Sequence, residues 1–195
     1  LAHYWPLDSV GDGPAEDIVG GSDGTVSGAS STTGQVNGSS GALFDGKNDV
    51  IAASGAYASS PITVSAWFRV DGSGGKNPRV VGTDDNSFRL YIENDYKNND
   101  DSLSFDIDGG PRTDSPDPVD DGGWYHGVGT HDGSTARLYL DGDKVDSAPG
   151  SVSPTATGVF VGERGNDLDP FNGAIDDVRI YDRALSDSEI QTLYD

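Results

Sequence analysis

The sequence contains no cysteine, and no apolar run approaches the roughly 20 residues that a membrane-spanning helix needs. Disulfide bonds are therefore excluded, although a domain of 195 residues can bury a core that is stable without them. No basic and then apolar leader opens the chain, which starts directly inside the motif HYWPLD at residues 3–8. We expect a mature or excised segment of a larger surface protein, with residues 1–195 forming a single domain.

Positive charge and glutamate are both scarce. Twelve basic residues face 33 acidic ones, so the net charge is −21, and all but four of the acidic residues are aspartate. Such self-repulsion destabilises a compact chain at low ionic strength, whereas at molar salt the screening length falls to about 3 Å. The composition favours a halophilic protein, with an ordinary acidic extracellular domain as the alternative. It disfavours nucleic acid as a partner and predicts no direct membrane insertion.

Short apolar or alternating segments recur from residue 42 onward, separated by Asp-Gly, Asn-Asp and Gly-Gly turn signals. Residues 62–70 alternate, with apolar side chains on the face predicted to line the core and polar or aromatic ones, including Trp67, on the other. Residues 11–41 are instead rich in Gly, Ser and Thr and predict a long excursion with short strands at most. Asp141 and Gly142 predict a tight hairpin turn. Together these features predict an all-β fold, a two-sheet antiparallel β-sandwich with one short C-terminal helix.

The C-terminal run carries two carboxylates inside an apolar strand pattern. A period of two places Asp176 on the face of Val178 and Ile180, toward the core, and Asp177 on the opposite face. A buried carboxylate needs a cation, an arginine or several N–H donors. Further along, Ser186 and Glu189 have the spacing of a capping box, and the residues around them that of a hydrophobic staple, which predicts the helix.

The sequence resembles the laminin-G-like, concanavalin A-like jelly-roll domains over almost its whole length. The resemblance is carried by residues 3–8 (HYWPLD), 44–50 (FDGKNDV), 65–68 (SAWF), 124–126 (WYH), 138–142 (LYLDG) and 171–195. It implies a lectin-glucanase type of jelly roll, found in both binding modules and glycoside hydrolases.

Calcium is the cofactor that the residues favour, because oxygen donors without cysteine suit a hard cation. The resemblance implies a calcium that joins the N-terminal segment to the last long strand. The matching positions are Asp8, Asp23, Asp45 and Asp176. The alternative for Asp176 is hydrogen bonding to backbone amides or to an arginine.

Candidate ligand-binding residues are aromatic side chains that could stack on a sugar and acidic residues in loops. They are Trp67, Asp84, Asp85, Tyr91, Tyr96 and Trp124. The alternatives are a solvated sheet face for the aromatic residues and salt-adapted loops for the acidic ones.

An enzyme is disfavoured because none of the four glutamates lies in the paired-carboxylate pattern that glycosidases on this sandwich use. The G-x-S-x-G match at residues 20–24 lacks a preceding strand and a following helix. The three histidines, His3, His126 and His131, do not have the pattern of a zinc site.

We therefore expect a non-catalytic, calcium-stabilised adhesion module that recognises a glycan or a glycosylated surface protein. Its expected location is the cell surface or outside the cell, with a virion surface as the alternative. The alternatives are a structural or assembly domain of a surface or viral appendage and, third, a polysaccharide-active enzyme. Asn37 begins a glycosylation sequon, which would carry a glycan only in a secreted protein.

Overall fold

The computed structural model describes residues 1–36, 38–58, 60–72, 74–83, 85–95, 100–119, 122–151, 155–164 and 169–195. Within these ranges the chain forms fifteen strands and one helix. They are β1 (His3–Trp5), β2 (Gly24–Ser27), β3 (Ser30–Thr33), β4 (Ser40–Asp45), β5 (Val50–Ala58), β6 (Ile62–Val70), β7 (Arg79–Thr83), β8 (Arg89–Asp95), β9 (Asp100–Asp106), β10 (Arg112–Pro118), β11 (Trp124–His131), β12 (Thr135–Leu140), β13 (Asp143–Pro149), β14 (Thr155–Val161), β15 (Asn172–Tyr181) and α1 (Asp187–Tyr194).

The strands form two antiparallel sheets. Sheet I has the order β13-β12-β11-β6-β15-β4-β3, and β1 pairs with β15 in addition. Sheet II has the order β10-β9-β8-β7-β14-β5-β2. The two sheets enclose the core, which confirms the predicted sandwich with its short C-terminal helix.

The core lies between the inner faces of the two sheets. Val64 and Phe68 of sheet I and Leu90 and Phe105 of sheet II are completely buried members of one apolar cluster. Burial of each such side chain contributes about 1.5–3 kcal/mol. The predicted alternation in residues 62–70 is confirmed, because the polar and aromatic residues between these positions face the outside of sheet I.

Helix α1 covers part of that outer face. It packs in a second apolar cluster made of Val128, Tyr139, Tyr181, Leu185 and Ile190. Ser186 is the N-cap and forms a capping box with Glu189, as predicted. In the described part of the chain, no helix has both the length and the apolarity required to cross a bilayer.

The hairpin predicted at Asp141 and Gly142 is also confirmed. These two residues alone separate β12 from β13, and both have positive φ, 51° and 84°. A two-residue turn with positive φ at both positions matches the right-handed twist of the flanking strands.

The core face predicted for Asp176 is wrong, whereas the core face predicted for Val178 and Ile180 is confirmed. Asp176 pairs with Trp67 and Arg179 pairs with Ser65, so β15 contains one residue more than β6 between these pairs. This β-bulge is accommodated at Asp177, whose φ is 55°. Asp176 therefore faces outward, on the side of Trp67 and Arg179, whereas Val178 and Ile180 belong to the core.

Candidate functional site

A cleft opens on the outer face of sheet I, between the loop before β4 and the end of α1. Its volume is 650 Å³, within the range of about 300–1,000 Å³ that is typical of small-ligand sites. We call it the Trp67 cleft. Its lining residues are Gln35, Val36, Trp67, Asp177, Arg179, Thr192, Leu193, Tyr194 and Asp195.

One side of the Trp67 cleft is aromatic. The rings of Trp67 and Tyr194 stack with centroids 5.6 Å apart and an interplanar angle of 24°, and His126 lies beside Trp67 at 5.0 Å. Trp67 is 8 % exposed, whereas Tyr194 is 37 % exposed. Tyr194 follows Ile190 by one helical turn, so the burial of Ile190 directs Tyr194 to the same face of α1. The Tyr194 ring is thus exposed to solvent in the cleft, and the Trp67 ring stacks against it.

The other side of the Trp67 cleft carries a charged pair. Arg179 donates from Nη2 to Oδ2 of Asp177 at 2.9 Å, and the Tyr4 hydroxyl donates to Oδ1 of the same carboxylate. The Arg179 guanidinium also lies over the Tyr4 ring, 4.6 Å from its centroid. Burial and the hydrogen bond to Asp177 both raise the pKa of Tyr4. The side chains of Asp177 and Arg179 keep 7 % and 19 % exposure, so both present an edge to the cleft.

His126 lies behind the aromatic side and is buried. Its Nε2 is 2.9 Å from the Ser65 hydroxyl, while Nδ1 has no hydrogen-bond partner among the described residues. Burial lowers the pKa of His126 to about 4, and the charge of Arg179 acts in the same direction. The imidazole is therefore neutral near pH 7 and supports Trp67 without adding charge.

Asp176 lies under the loop that borders the Trp67 cleft. Its Oδ2 accepts hydrogen bonds from the Gln35 amide at 2.8 Å and the Ser39 hydroxyl at 3.0 Å. Its Oδ1 is buried and has no partner among the described residues. Burial raises the pKa of Asp176 above its usual value, and these hydrogen bonds offset the effect only in part. A Cβ at Gly34 would collide with Ser39 and Asp176, so the close approach of this loop requires glycine.

A different aspartate fixes the N-terminal strand. Asp17 accepts hydrogen bonds from the backbone amides of Tyr4 at 3.0 Å, Gly20 at 2.9 Å and Ser22 at 3.0 Å. Nδ1 of the His3 ring lies 2.7 Å from Oδ2 of Asp17. Burial alone would raise the pKa of Asp17, but these hydrogen bonds lower it to about 2. We call this arrangement the Asp17 clamp. It positions β1, and therefore also the Tyr4 hydroxyl at Asp177.

The predicted calcium ligands do not meet at one point. Asp8 and Asp176 both contact the start of β4, where Asp8 accepts from the Ser40 amide at 2.7 Å. Asp45 lies opposite Asn172, four residues from Asp176 and thus roughly 13 Å along the strand. Asp23 accepts from the Asp17 amide, within the N-terminal loop. Across the described ranges, no three His, Cys, Asp or Glu side chains cluster closely enough to hold a metal ion.

The predicted ligand-binding residues lie on both sides of the sandwich. Trp67 lines the cleft, and Trp124 lies on the same outer face but outside it, with the Arg69 guanidinium 5.4 Å from its ring. Tyr91 belongs to the outer side of sheet II and is completely buried, with the Arg89 guanidinium 4.4 Å from its ring centroid. Its ring therefore cannot stack on a sugar.

Four predicted residues remain, namely two aspartates, one tyrosine and the asparagine of the sequon. Asp85 accepts hydrogen bonds from the side chain of Thr83 and from Ser87, within its own turn, which is a structural arrangement. Asp84, Tyr96 and Asn37 lie outside the described residues.

Most of the charged residues and loop residues that line the Trp67 cleft were not predicted from the sequence. Gln35 and Val36 come from a segment predicted only as a loop, and Arg179 was not predicted as part of a site. Tyr194 could have been found, because it follows Ile190 at helical spacing in the predicted C-terminal helix. Asp177 was correctly predicted to face away from the core, but its contact with Tyr4 depends on the pairing of β1 with β15, which no local pattern indicates.

We compared the chain with protein families and with curated protein sequences. A family model described as the concanavalin A-like lectin/glucanases superfamily matches residues 44–191. The comparison with curated protein sequences gave no match.

Several solved structures share the fold. Domain 4 of AbnA, an extracellular GH43 arabinanase from Geobacillus stearothermophilus in complex with arabinotriose, is 19 % identical with a TM-score of 0.78, covering 100 % of this chain and 98 % of that one. The binding domain of Paraclostridial Mosquitocidal Protein 1 is 18 % identical with a TM-score of 0.76, covering 100 % and 51 %. The Trypanosoma rangeli sialidase is 17 % identical with a TM-score of 0.72, covering 98 % and 32 %. At these identities the likeness establishes the fold alone.

Proposed function

The chain belongs to the concanavalin A-like lectin/glucanases superfamily, and we propose that it is a non-catalytic binding module that holds a glycan in the Trp67 cleft. The observation that carries the proposal is the combination, in one cleft of 650 Å³, of an exposed aromatic ring on one side and a charged hydrogen-bonding pair on the other. Sugars present an apolar ring face and a polar rim, which suits this combination.

The roles follow from the geometry. Tyr194, supported by Trp67, contacts the apolar face of a sugar ring, and Asp177 with Arg179 binds its hydroxyls. Both oxygens of Asp177 already accept hydrogen bonds, which favours recognition over proton transfer. Support at the level of the superfamily comes from domain 4 of the arabinanase, which has been solved with arabinotriose.

Two further parts of the proposal concern calcium and location. We propose Asp8 and Asp176 as the protein ligands of a structural calcium, because both approach Ser39 and Ser40 and Oδ1 of Asp176 is buried without a partner among the described residues. Asp23 and Asp45 do not fit the same site. A location at the cell surface remains part of the proposal, since surface glycans are found there.

The test of the glycan function is a glycan array at molar salt, followed by titration calorimetry on any hit. We expect Tyr194→Ala to weaken binding about tenfold, because stacking on the ring is lost. Trp124→Ala is the matched control, since Trp124 is a partly exposed aromatic residue on the same face but outside the cleft. Absence of any bound glycan, or equal losses in the two variants, would refute the assignment.

A further inference from the structure

The charges of the Trp67 cleft define which sugars it can accept. Its lining contains one basic residue, Arg179, and two acidic ones, Asp177 and Asp195. The Arg179 charge is already compensated by Asp177 at 2.9 Å. An anionic ligand would therefore meet no unpaired positive charge in this lining.

The hydrogen-bonding capacity of the pair is not exhausted. A guanidinium has five N–H donors, and in the described part of the chain the hydrogen bonds of Arg179 all use Nη2. Among the described residues, the Asp177 oxygens each accept one hydrogen bond, and a carboxylate has capacity for about four. Donors and acceptors thus remain available side by side.

A sugar hydroxyl both donates and accepts hydrogen bonds, so two adjacent hydroxyls complement a carboxylate beside a guanidinium. A sugar carboxylate placed at this pair can only accept hydrogen bonds, so it satisfies the guanidinium alone and is repelled by Asp177. Because molar salt screens the remote charges of the chain but not a contact at hydrogen-bonding distance, this discrimination persists in high salt.

On the basis of the proposed function, we propose that the Trp67 cleft selects uncharged sugars with adjacent hydroxyls, and that Asp177 with Arg179 is the specificity-determining pair. The proposal concerns the class of ligand and not an individual glycan. It assigns to Asp177 a repulsive contribution against acidic sugars as well as an attractive one toward hydroxyls.

The experiment compares neutral trisaccharides, such as arabinotriose and maltotriose, with trigalacturonic acid by calorimetry and on the array, at molar salt. Wild type is expected to bind neutral sugars at least about tenfold more tightly than the uronate. Asp177→Asn should weaken neutral binding about tenfold and strengthen uronate binding. Asparagine tolerates the positive φ at this position, so the bulge is preserved. Asp132→Asn is the matched control, because Asp132 pairs with Arg137 at 2.7 Å outside the cleft.

The opposite signs are diagnostic, since a merely structural effect would weaken both classes equally and would overturn the proposal. Tighter binding of the uronate by wild type would overturn the inference while leaving glycan binding intact, whereas failure of both classes would overturn the glycan function as well. If melting shows that Asp177→Asn is unfolded, Arg179→Lys provides the second test. It retains the charge but loses the planar guanidinium, so we expect weaker neutral binding and no gain for the uronate.

Discussion

Asp17 and Asp176 are both buried aspartates, the first bonded to β1 and the second within β15, but their surroundings differ. Asp17 receives hydrogen bonds at both oxygens, from β1 and from the loop that follows it. Among the described residues, Asp176 receives hydrogen bonds at Oδ2 alone, from a loop that also borders the Trp67 cleft. The pKa of Asp17 is lowered to about 2, and that of Asp176 is raised by burial.

The difference shows how the number of donors decides whether a buried carboxylate stabilises the fold. A charge that is fully hydrogen-bonded is held more strongly in the folded chain than in water, whereas a half-satisfied one is desolvated without full compensation. The two regions are connected through Tyr4, whose amide belongs to the Asp17 clamp and whose hydroxyl reaches Asp177. The Asp17 clamp thus positions one part of the cleft wall, while the loop bonded to Asp176 forms another part.

The largest effect is expected at the Asp17 clamp. Asp17→Asn should lower the free energy of unfolding by about 3 kcal/mol. The asparagine side chain lacks the negative charge, and its NH2 group faces N–H donors. Denaturant-induced unfolding at molar salt measures this loss of free energy. Asp12→Asn is the control, since Asp12 is exposed in the same N-terminal segment and should change stability by less than about 0.5 kcal/mol. Equal losses would contradict the importance of the clamp.

An intermediate effect is expected from pH, with opposite signs for the two aspartates. The folded pKa of Asp17 lies below the unfolded value of 3.8, so its contribution is present above pH 3.8 and is lost as the pH falls through about 2. The loss amounts to about 2 kcal/mol. The stability difference between wild type and Asp17→Asn should therefore shrink in this range.

For Asp176, whose folded pKa is raised, the favourable contribution is present at low pH and is lost as the pH rises through that folded value. Wild type should consequently gain stability relative to Asp176→Asn on acidification. Unfolding curves of the three proteins at a series of pH values measure both trends. Parallel pH trends for the two variants would contradict the predicted difference between Asp17 and Asp176.

The smallest effect is expected at Asp176 itself. Near neutral pH, Asp176→Asn should change the free energy of unfolding by less than about 1 kcal/mol, in the stabilising direction, because it removes a half-compensated buried charge. Thermal melting with added calcium or with a chelator extends the test. A calcium-dependent rise in the melting temperature of wild type that is absent in Asp176→Asn would support the proposed cation. No calcium dependence in wild type would contradict it.

Features with a local cause could be predicted from the sequence. The turn at Asp141 and Gly142 needs only two residues that accept positive φ, and the capping box at Ser186 needs only its own spacing. The apolar alternation of β6 likewise follows from one strand. Since the sandwich results from many such local patterns, the fold class was predictable.

The candidate site could be predicted only in part, because it depends on contacts between distant segments. Trp67 was identified as an aromatic residue on the outer face of a strand. The donors around Asp17 come from β1 and from the following loop, and no periodicity indicates that they converge. The bulge at Asp177 adds a residue to a pattern of period two, so the face of Asp176 was assigned wrongly, whereas the core positions of Val178 and Ile180 were assigned correctly.

The additional residue in the bulge divides β15 into two parts, in which odd and even residue numbers face opposite sides of the sheet. Before it, Ile175 is in the core and Asp176 is on the outer side; after it, Val178 and Ile180 are in the core and Arg179 is on the outer side. If β15 instead paired regularly through Asp177, without the bulge, every later side chain would exchange faces, and the Arg179 guanidinium would be buried among apolar residues. The bulge therefore determines whether this sequence closes the core and completes a binding surface, or does neither.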